Sequence, residues 1–280
     1  MKTALITGGS SGLGLASAEA LAQEGFNLIL VARREDKLTK AAEALRAKFP
    51  LQKIQASVLD VSDQAAVRRF ASSVTEPVDV LMNNAGLMGP DYSLSAEGIE
   101  SQMATNHLGH FLLTALLWEN LESAAGRVVS LSSVVHRRSK FQALDTAEVR
   151  GANITYNRWG RYADSKLACL FFARELDTRA KQLGSKVKSI AAHPGWARTG
   201  LQENYPNTFD FLAQSAEVGA RSQIQAALDQ NLEGGEFIGP RYEAWGEPKL
   251  IGGSKHSQNL EIAQRLWRIS EELTSSKFLA

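Results

Sequence analysis

The chain has one cysteine, Cys169, so no disulfide can close within it. It has almost no net charge: 31 Lys and Arg face 30 Asp and Glu, a formal +1, and no global field draws nucleic acid or an anionic membrane. No apolar run approaches the roughly 20 residues that span a bilayer. Low-complexity tracts, Pro/Gly/Ser linkers and internal repeats are also missing, so residues 1–280 are expected to form one domain. Met1 leads almost directly into the strand-like Thr3-Ala4-Leu5-Ile6 rather than a secretory apolar region, which gives a cytoplasmic expectation. What is present is an ordinary core-forming composition, 44% hydrophobic and 22% charged. Small-molecule chemistry is the expectation that survives.

Short apolar runs alternate with longer amphipathic segments, the pattern of βαβ units feeding a parallel sheet buried on both faces. The strands fall at Ala4–Thr7, Leu28–Ala32, Ile54–Val58, Val78–Met82, Arg127–Leu131, Val187–Ala192 and Glu236–Gly239. Helical spacing marks Gly12–Gln23, Glu35–Lys48, Asp63–Ser73, Ile99–Asn120, Arg161–Leu183 and Glu217–Asn231. The fold class is therefore α/β, a single Rossmann-type, doubly wound, mainly parallel seven-stranded sheet with helices on both faces. Two stretches break the rhythm, about 136–160 and about 196–216, the second rich in aromatic and amide residues. Both are expected to be substrate loops. The tail Leu260–Leu273 reads as an amphipathic helix packing back on the body.

The first strand ends in Thr7-Gly8-Gly9-Ser10-Ser11-Gly12-Leu13-Gly14, a glycine-rich turn into a helix start. Such a turn brings backbone N–H groups and the positive end of a helix close to a pyrophosphate. The spacing matches neither G-x-G-x-x-G nor the P-loop, and a purely structural turn is the alternative. The second strand is followed by Arg33 and Arg34, where an NAD-selective protein presents a carboxylate to the ribose 2′-hydroxyl. A guanidinium suits a 2′-phosphate, so NADP(H) is preferred over NAD(H); a solvated helix start is the bland alternative.

Tyr162-Ala163-Asp164-Ser165-Lys166 puts a phenol and an ammonium at i and i+4 on one helix face. A phenol titrates near 10, and a neighbouring cation favours its ionised form. Alone, the spacing fits a surface pair equally well. Its company is Asn83-Asn84-Ala85-Gly86 after the fourth strand, Asn106, Ser132-Ser133 after the fifth, and Pro194-Gly195-x-x-x-Thr199 after the sixth. From the first strand to beyond Thr199 the chain resembles the short-chain dehydrogenase/reductase family. The stretch Thr105–Leu113 and the long Ser-to-Tyr separation look most like the retinol dehydrogenase and protochlorophyllide oxidoreductase branch.

The resemblance implies a catalytic set of Asn106, Ser133, Tyr162 and Lys166. Tyr162 would exchange a proton with the substrate oxygen, and Lys166 would lower its pKa and hold the nicotinamide ribose. Ser133 would hydrogen-bond that oxygen, with Ser132 as the structural alternative. Asn106 would anchor a water linking Lys166 to solvent. Gly8, Ser10, Ser11, Gly12, Leu13 and Gly14 would cradle the pyrophosphate, Asp60 and Val61 would border the adenine, Asn84, Ala85 and Gly86 would line the cleft, and Pro194, Gly195 and Thr199 would hold the carboxamide. Bland readings stand beside these: Asp60 with Ser62 as a helix cap, Asn83–Gly86 as a turn, Asn106 as a satisfied core amide.

The implied activity is a carbonyl reductase or alcohol dehydrogenase acting on a small hydrophobic carbonyl or alcohol. Trp159, Trp196, Tyr205, Phe209 and Phe211 suggest an apolar or aromatic pocket, or pack the loops down. The alternatives are an inactive NADP(H)-binding regulator or scaffold, an epimerase or dehydratase, which the lack of a second domain disfavours, and a light-dependent protochlorophyllide-type C=C reductase. The last usually carries cysteine two residues after the lysine, where this chain has Ala168. Cys169 reads as a small buried residue, and His107, His110 and His136 have no metal-ligand partners at zinc-like spacing. Related proteins pair their long helices, so homodimer and monomer both stay open, with the 136–160 stretch able to obstruct that surface.

Overall fold

A computed structural model describes residues 1–152, 155–197 and 213–279. Eight strands form one sheet in the order β3-β2-β1-β4-β5-β6-β7-β8. They are β1 (Thr3–Thr7), β2 (Asn27–Ala32), β3 (Ile54–Val58), β4 (Val80–Asn83), β5 (Arg127–Leu131), β6 (Lys188–Ala192), β7 (Phe237–Pro240) and β8 (Pro248–Leu250). All neighbours pair in parallel except β7 and β8, which are antiparallel. The expected sheet had seven strands. The eighth is three residues at the sheet edge, two of them exposed, so it leaves no apolar run to read.

The central strands read as continuous apolar runs because both faces are covered. On β1, Ala4 and Ile6 meet one core and Leu5 the other; Leu28 and Leu30 against Ile29 and Val31, and Met82 against Leu81, repeat the division. The first core is closed by helices α1 (Gly12–Gln23), α2 (Glu35–Lys48) and α9 (Ala216–Leu228), the second by α3 (Gln64–Ala71), α5 (Gly109–Leu116), α6 (Trp118–Ala124) and α8 (Arg158–Gln182). Strand order reverses direction between β1 and β4. In an open parallel sheet that is where a crevice opens beyond the carboxyl ends of the strands.

The expected helix Ile99–Asn120 is broken into α4 (Ser101–Met103), a π-helical turn Ala104–Leu108, α5 and α6. Its apolar periodicity runs on, but the wider turn around Asn106 carries one extra residue. Helix α8 begins at Arg158, three residues before the expected Arg161, because Asn157 caps it by accepting from Gly160 N at 2.9 Å. Asp63, not Asp60, caps α3, accepting from Ala66 N at 2.8 Å.

Helix α10 (Leu260–Thr274) packs back on the body as its pattern implies. Its Trp267 is buried beside Phe111 and Phe172, with ring centroids 5.0 and 6.0 Å away, and Phe278 closes over it at 4.8 Å. The tail thus occupies a face of α5 and α8.

The 136–160 stretch is anchored by a buried ion pair. Glu100 Oε2 accepts from Arg161 Nε at 3.1 Å, with side-chain exposures of 0% and 3%. The same carboxylate caps α4, accepting from Gln102 N and Met103 N, while Arg161 Nη1 and Nη2 donate to Glu148 and Val149 carbonyls of α7 (Thr146–Arg150). Removing one partner leaves the other charge buried alone. Glu100→Ala and Arg161→Ala are each expected to lower stability by about 3–5 kcal/mol, read as a lower urea midpoint at unchanged slope. A change below about 0.5 kcal/mol, the level of an ordinary surface substitution, would show that the pair anchors nothing.

Candidate functional site

A cavity of about 1120 Å³ opens at the reversal, along the carboxyl ends of β1, β2, β4, β5 and β6. Its lining includes Gly8, Ser10, Ser11, Gly12, Leu13, Gly14, Arg33, Arg34, Asp60, Val61, Asn84, Ala85, Gly86, Ser133, Tyr162, Lys166, Pro194 and Gly195. Of the residues singled out in the sequence, Asn106 stands behind this lining and Thr199 lies outside the described residues. Trp159 and Trp196 line the cavity as well; Tyr205, Phe209 and Phe211 also fall outside the described residues.

At one end, helix α1 starts at the cavity wall. Ser11 occupies its cap position without a side-chain hydrogen bond to the first turn, so the N–H groups that a helix start leaves over point to the cavity side. At Gly14 a Cβ would come within 2.6 Å of Asn84 Nδ2 and closer still to Gly8 O, so only glycine lets the loop pack there. These groups fit an anion of pyrophosphate type. Arg33 and Arg34 follow β2 at the same end. Arg33 Nη1 stands 3.8 Å from Asp60 Oδ2, a half-exposed pair worth little by itself. Asp60 Oδ1 takes Ser62 N and Oγ at 2.9 and 2.7 Å, a local turn.

At the other end, the residues leaving β5 grip α8. Lys166 Nζ donates to Leu131 O at 3.0 Å, Ser132 Oγ donates to Lys166 O at 2.7 Å, and Ser133 lines the cavity together with Tyr162. The two serines thereby divide: Ser132 holds the helix, and Ser133 is on the cavity lining with Tyr162. Lys166 Nζ sits 5.7 Å from the centre of the Tyr162 ring.

Burial governs the titration of this pair. It pushes the Tyr162 phenol up, with the Cys169 thiol adding to the effect and the Ser133 hydrogen bond opposing it. Burial also pushes Lys166 down, against a smaller opposing influence of Cys169. Burial, the largest influence, sets the direction of the phenol's shift. The phenol is held protonated, as a donor.

Asn106 takes the place of a satisfied core amide. Its Oδ1 accepts from Leu87 N at 2.7 Å, and its Nδ2 donates to Leu87 O at 3.0 Å and to Ser165 Oγ at 2.9 Å. Its carbonyl faces His110 Nδ1 at 3.1 Å and accepts from Cys169 Sγ at 3.1 Å. The side chain therefore reaches protein groups rather than the cavity, and Asn106 acts on the site by holding the Leu87 loop and, through Ser165, the Tyr162 main chain. Cys169, turned onto that carbonyl, does not line the cavity either.

Two residues the sequence reading passed over complete the frame. Thr7 Oγ1 accepts from Asn84 N and Ala85 N, both at 2.9 Å, and lies 2.9 Å from His110 Nε2. A carbonyl only accepts, so His110 donates from Nδ1 to Asn106 O and its Nε2 accepts the Thr7 hydroxyl proton. Burial, above all, holds that imidazole neutral, its pKa pulled down to about 4. The signal was present as Thr7 next to Gly8 and His110 one turn after Asn106. Less legible was the segment between β7 and β8, which adds Tyr242, Glu243 and Ala244 to the lining. It is tied down by His193 Nε2 donating to Glu243 O at 2.8 Å and by Trp196 N donating to Ala244 O at 3.0 Å.

Comparison with known proteins places this geometry. A family model described as short chain dehydrogenase matches residues 2–144. Human retinol dehydrogenase 12 is 34% identical over 284 residues, covering 97% of this chain and 86% of that protein. The chloroplastic short-chain dehydrogenase TIC 32 B of Brassica napus is 31% identical, covering 98% of this chain and 89% of its own. Among solved structures, an uncharacterized protein from Mycobacterium paratuberculosis is 37% identical with a TM-score of 0.86, covering 99% of this chain and 95% of that one. An alcohol dehydrogenase from Thermococcus sibiricus, 24% identical with a TM-score of 0.66 over 89% of this chain and 99% of that one, shares the fold. On these matches, and on a cavity built at the strand-order reversal, the chain belongs to the short chain dehydrogenase family of oxidoreductases.

Proposed function

We propose that this protein is an NADP(H)-dependent oxidoreductase acting between the nicotinamide and a carbonyl or alcohol on a hydrophobic small molecule. The observation that carries the reading is that one cavity is lined by Ser133, the buried Tyr162 and Lys166 and also by the glycine loop at the start of α1. Gly8, Ser10–Gly14, Arg33, Arg34, Asp60, Val61, Asn84–Gly86, Pro194, Gly195 and Thr199 are assigned to the cofactor. When bound, the nicotinamide supplies or takes up the hydride.

The protein's own work is to place an oxygen and move a proton. A substrate carbonyl oxygen seated between Ser133 and Tyr162 accepts from both hydroxyls, and Tyr162 passes its proton to that oxygen as charge develops there. Lys166, held against Leu131 O beneath the ring, stabilises the phenolate that is left and is assigned to the nicotinamide ribose. In the opposite direction the phenolate accepts the alcohol proton. Walls from Met88, Val134, Val135, Trp159 and Trp196 exclude water and suit an apolar substrate. The named activity of the retinol dehydrogenase relatives, an alcohol dehydrogenation, agrees with that reading. The unbroken sheet supports one domain.

Tyr162→Phe is expected to lower kcat for NADPH-dependent aldehyde reduction by roughly 10²–10⁴-fold, with NADPH binding, followed by fluorescence, retained. Equal turnover would remove Tyr162 from the chemistry, and NADPH binding without turnover of any aldehyde, ketone or alcohol by the wild type would favour the regulator reading.

Arg33→Asp, which exchanges a charge-assisted donor for a like charge, is expected to shift the NADPH-over-NADH ratio of kcat/KM toward NADH by about tenfold or more. An unchanged ratio would take Arg33 out of the phosphate site.

The raised phenol sets the pH response. Reduction needs the protonated form, present below its pKa, so its rate is expected to stay level from about pH 6 to about pH 9, while oxidation, which needs the phenolate, rises across the same range. A reduction rate falling through neutrality would show that the phenol is not held up.

A further inference from the structure

The 3₁₀ turn Val134–Arg138, which carries the chain away from β5, holds a histidine that the proton transfer does not involve. His136 is fully buried and stands edge-on to the Phe237 ring, with centroids 5.7 Å apart. Its Nδ1 lies 2.6 Å from Ser133 O, and its Nε2 lies 3.1 Å from Ser254 N. A carbonyl only accepts and an amide N–H only donates, so the two contacts together require hydrogen on Nδ1 and a lone pair on Nε2. Only the uncharged imidazole meets both.

These bonds bear on the serine assigned to the substrate oxygen. Ser133 O also accepts from His136 N at 3.0 Å, so two donors of one residue converge on one carbonyl. Ser133 Oγ accepts from Val135 N at 3.3 Å, and the hydroxyl keeps its own hydrogen to donate. Main chain and side chain of Ser133 are thus held by the turn that follows it, whereas Ser132 is held by α8.

The far nitrogen joins this turn to the chain beyond β8. Ser254 O accepts from Ser257 Oγ at 2.7 Å, Ser254 Oγ accepts from Ser257 N at 3.1 Å, and Ser257 Oγ accepts from Arg174 Nη1 of α8 at 3.0 Å. Arg137 is ion-paired with Glu243 and donates to Gly252 O at 3.0 Å. Ser254 is therefore a fixed point, and the imidazole is braced between it and Ser133. Burial, above all, lowers the His136 pKa from its ordinary value; Arg137 and Arg174 add to the lowering, and the Ser133 O bond and Glu243 oppose it. His193, the other imidazole acting on it, is itself held neutral chiefly by burial. A proton gained at Nε2 would set one N–H against the Ser254 N–H and drive the ring from its place.

We infer that His136 is a positioning residue for the reduction: its uncharged ring, braced on Ser254 N, fixes the Ser133 carbonyl and with it the Ser133 hydroxyl in the cavity wall. This rests on the oxidoreductase reading, in which that hydroxyl donates to the substrate oxygen.

The test uses His136→Asn, whose amide nitrogen takes the place of Nδ1, and His136→Gln, whose amide falls at Nε2 instead. The substrate is whichever of benzaldehyde, decanal and cyclohexanone the wild type reduces fastest with saturating NADPH. His136→Asn is expected to keep kcat within about twofold and His136→Gln to lower it by about tenfold, the worth of one hydrogen bond to the reacting oxygen, with NADPH binding retained in both. In a Ser133→Ala background His136→Gln should cost nothing further, because the effect runs through the Ser133 hydroxyl. Wild-type kcat should fall on the acid side, below about pH 6, and the fall should move to lower pH in His136→Asn, whose side chain does not titrate. Equal losses in His136→Asn and His136→Gln, losses additive with Ser133→Ala, or coincident pH profiles overturn the proposal, and are what a histidine that only fills space gives. Long-range proton–nitrogen NMR of the imidazole separates this inference from the redox reading. A ring protonated at Nε2, or charged at neutrality, overturns the inference whatever the turnover. An uncharged, Nδ1-protonated ring in a protein that reduces no aldehyde or ketone leaves the Ser133 brace standing and sinks the redox reading; turnover with coincident variants does the reverse.

Discussion

The grip of the β5 exit on helix α8 is the constraint on which the rest of the site depends. Leu131 O and Ser132 Oγ are consecutive along the chain, and they take, in order, the Lys166 ammonium group and the Lys166 carbonyl, with Ser133 next on the cavity lining. A strand end that leaves the sheet in one direction thereby fixes a helix face in rotation and in height. Tyr162 and Lys166 share that face because they are four residues apart, and the strand makes the shared face point into the cavity. Without the grip, the same five residues would be an ordinary surface pair.

A second chain of contacts couples this grip to the other end of the cavity. Thr7, the last residue of β1, receives the Asn84 and Ala85 amides and passes its own proton to His110, which donates to Asn106 O; Asn106 in turn holds Leu87 and Ser165. The glycine loop, the β4 exit and α8 are therefore set by one buried polar path. Each donor and acceptor on it is paired, and a path of this kind is stiff because any broken link leaves a buried group unsatisfied. Burial that makes the path stiff also holds His110 neutral and keeps the Tyr162 phenol protonated, so rigidity and proton-donor readiness share a cause.

Much of this was legible in the chain. Both faces of the central strands are buried, so their apolar runs are unbroken; the glycine loop and the two arginines sit at strand exits, and local sequence names a strand exit well. What was not legible depends on packing. The π-helical turn inside Ile99–Asn120 keeps the apolar spacing of a straight helix, so nothing in the spacing marks it. Asn106 shows its partners only once Leu87 and Ser165 are brought to it. The sign of the Tyr162 shift follows from how dry the site is, which a pair of residue types cannot state. The β7–β8 segment, short and half exposed, delivers Tyr242 and Glu243 to the lining without any periodic signal of its own. Family resemblance named the phenol, the lysine, the serine and Asn106, but not the Leu87 and Ser165 contacts that hold the Asn106 side chain.

The measurement that bears most directly on the central claim, that one cavity presents a dinucleotide to the Tyr162 phenol, is a crystal structure of the protein with NADP⁺ bound. The account predicts the pyrophosphate on the first turn of α1, the 2′-phosphate at Arg33 and Arg34, and the nicotinamide in contact with Tyr162 and Lys166. A dinucleotide bound with its nicotinamide away from that phenol, or lying outside the cavity, would contradict it.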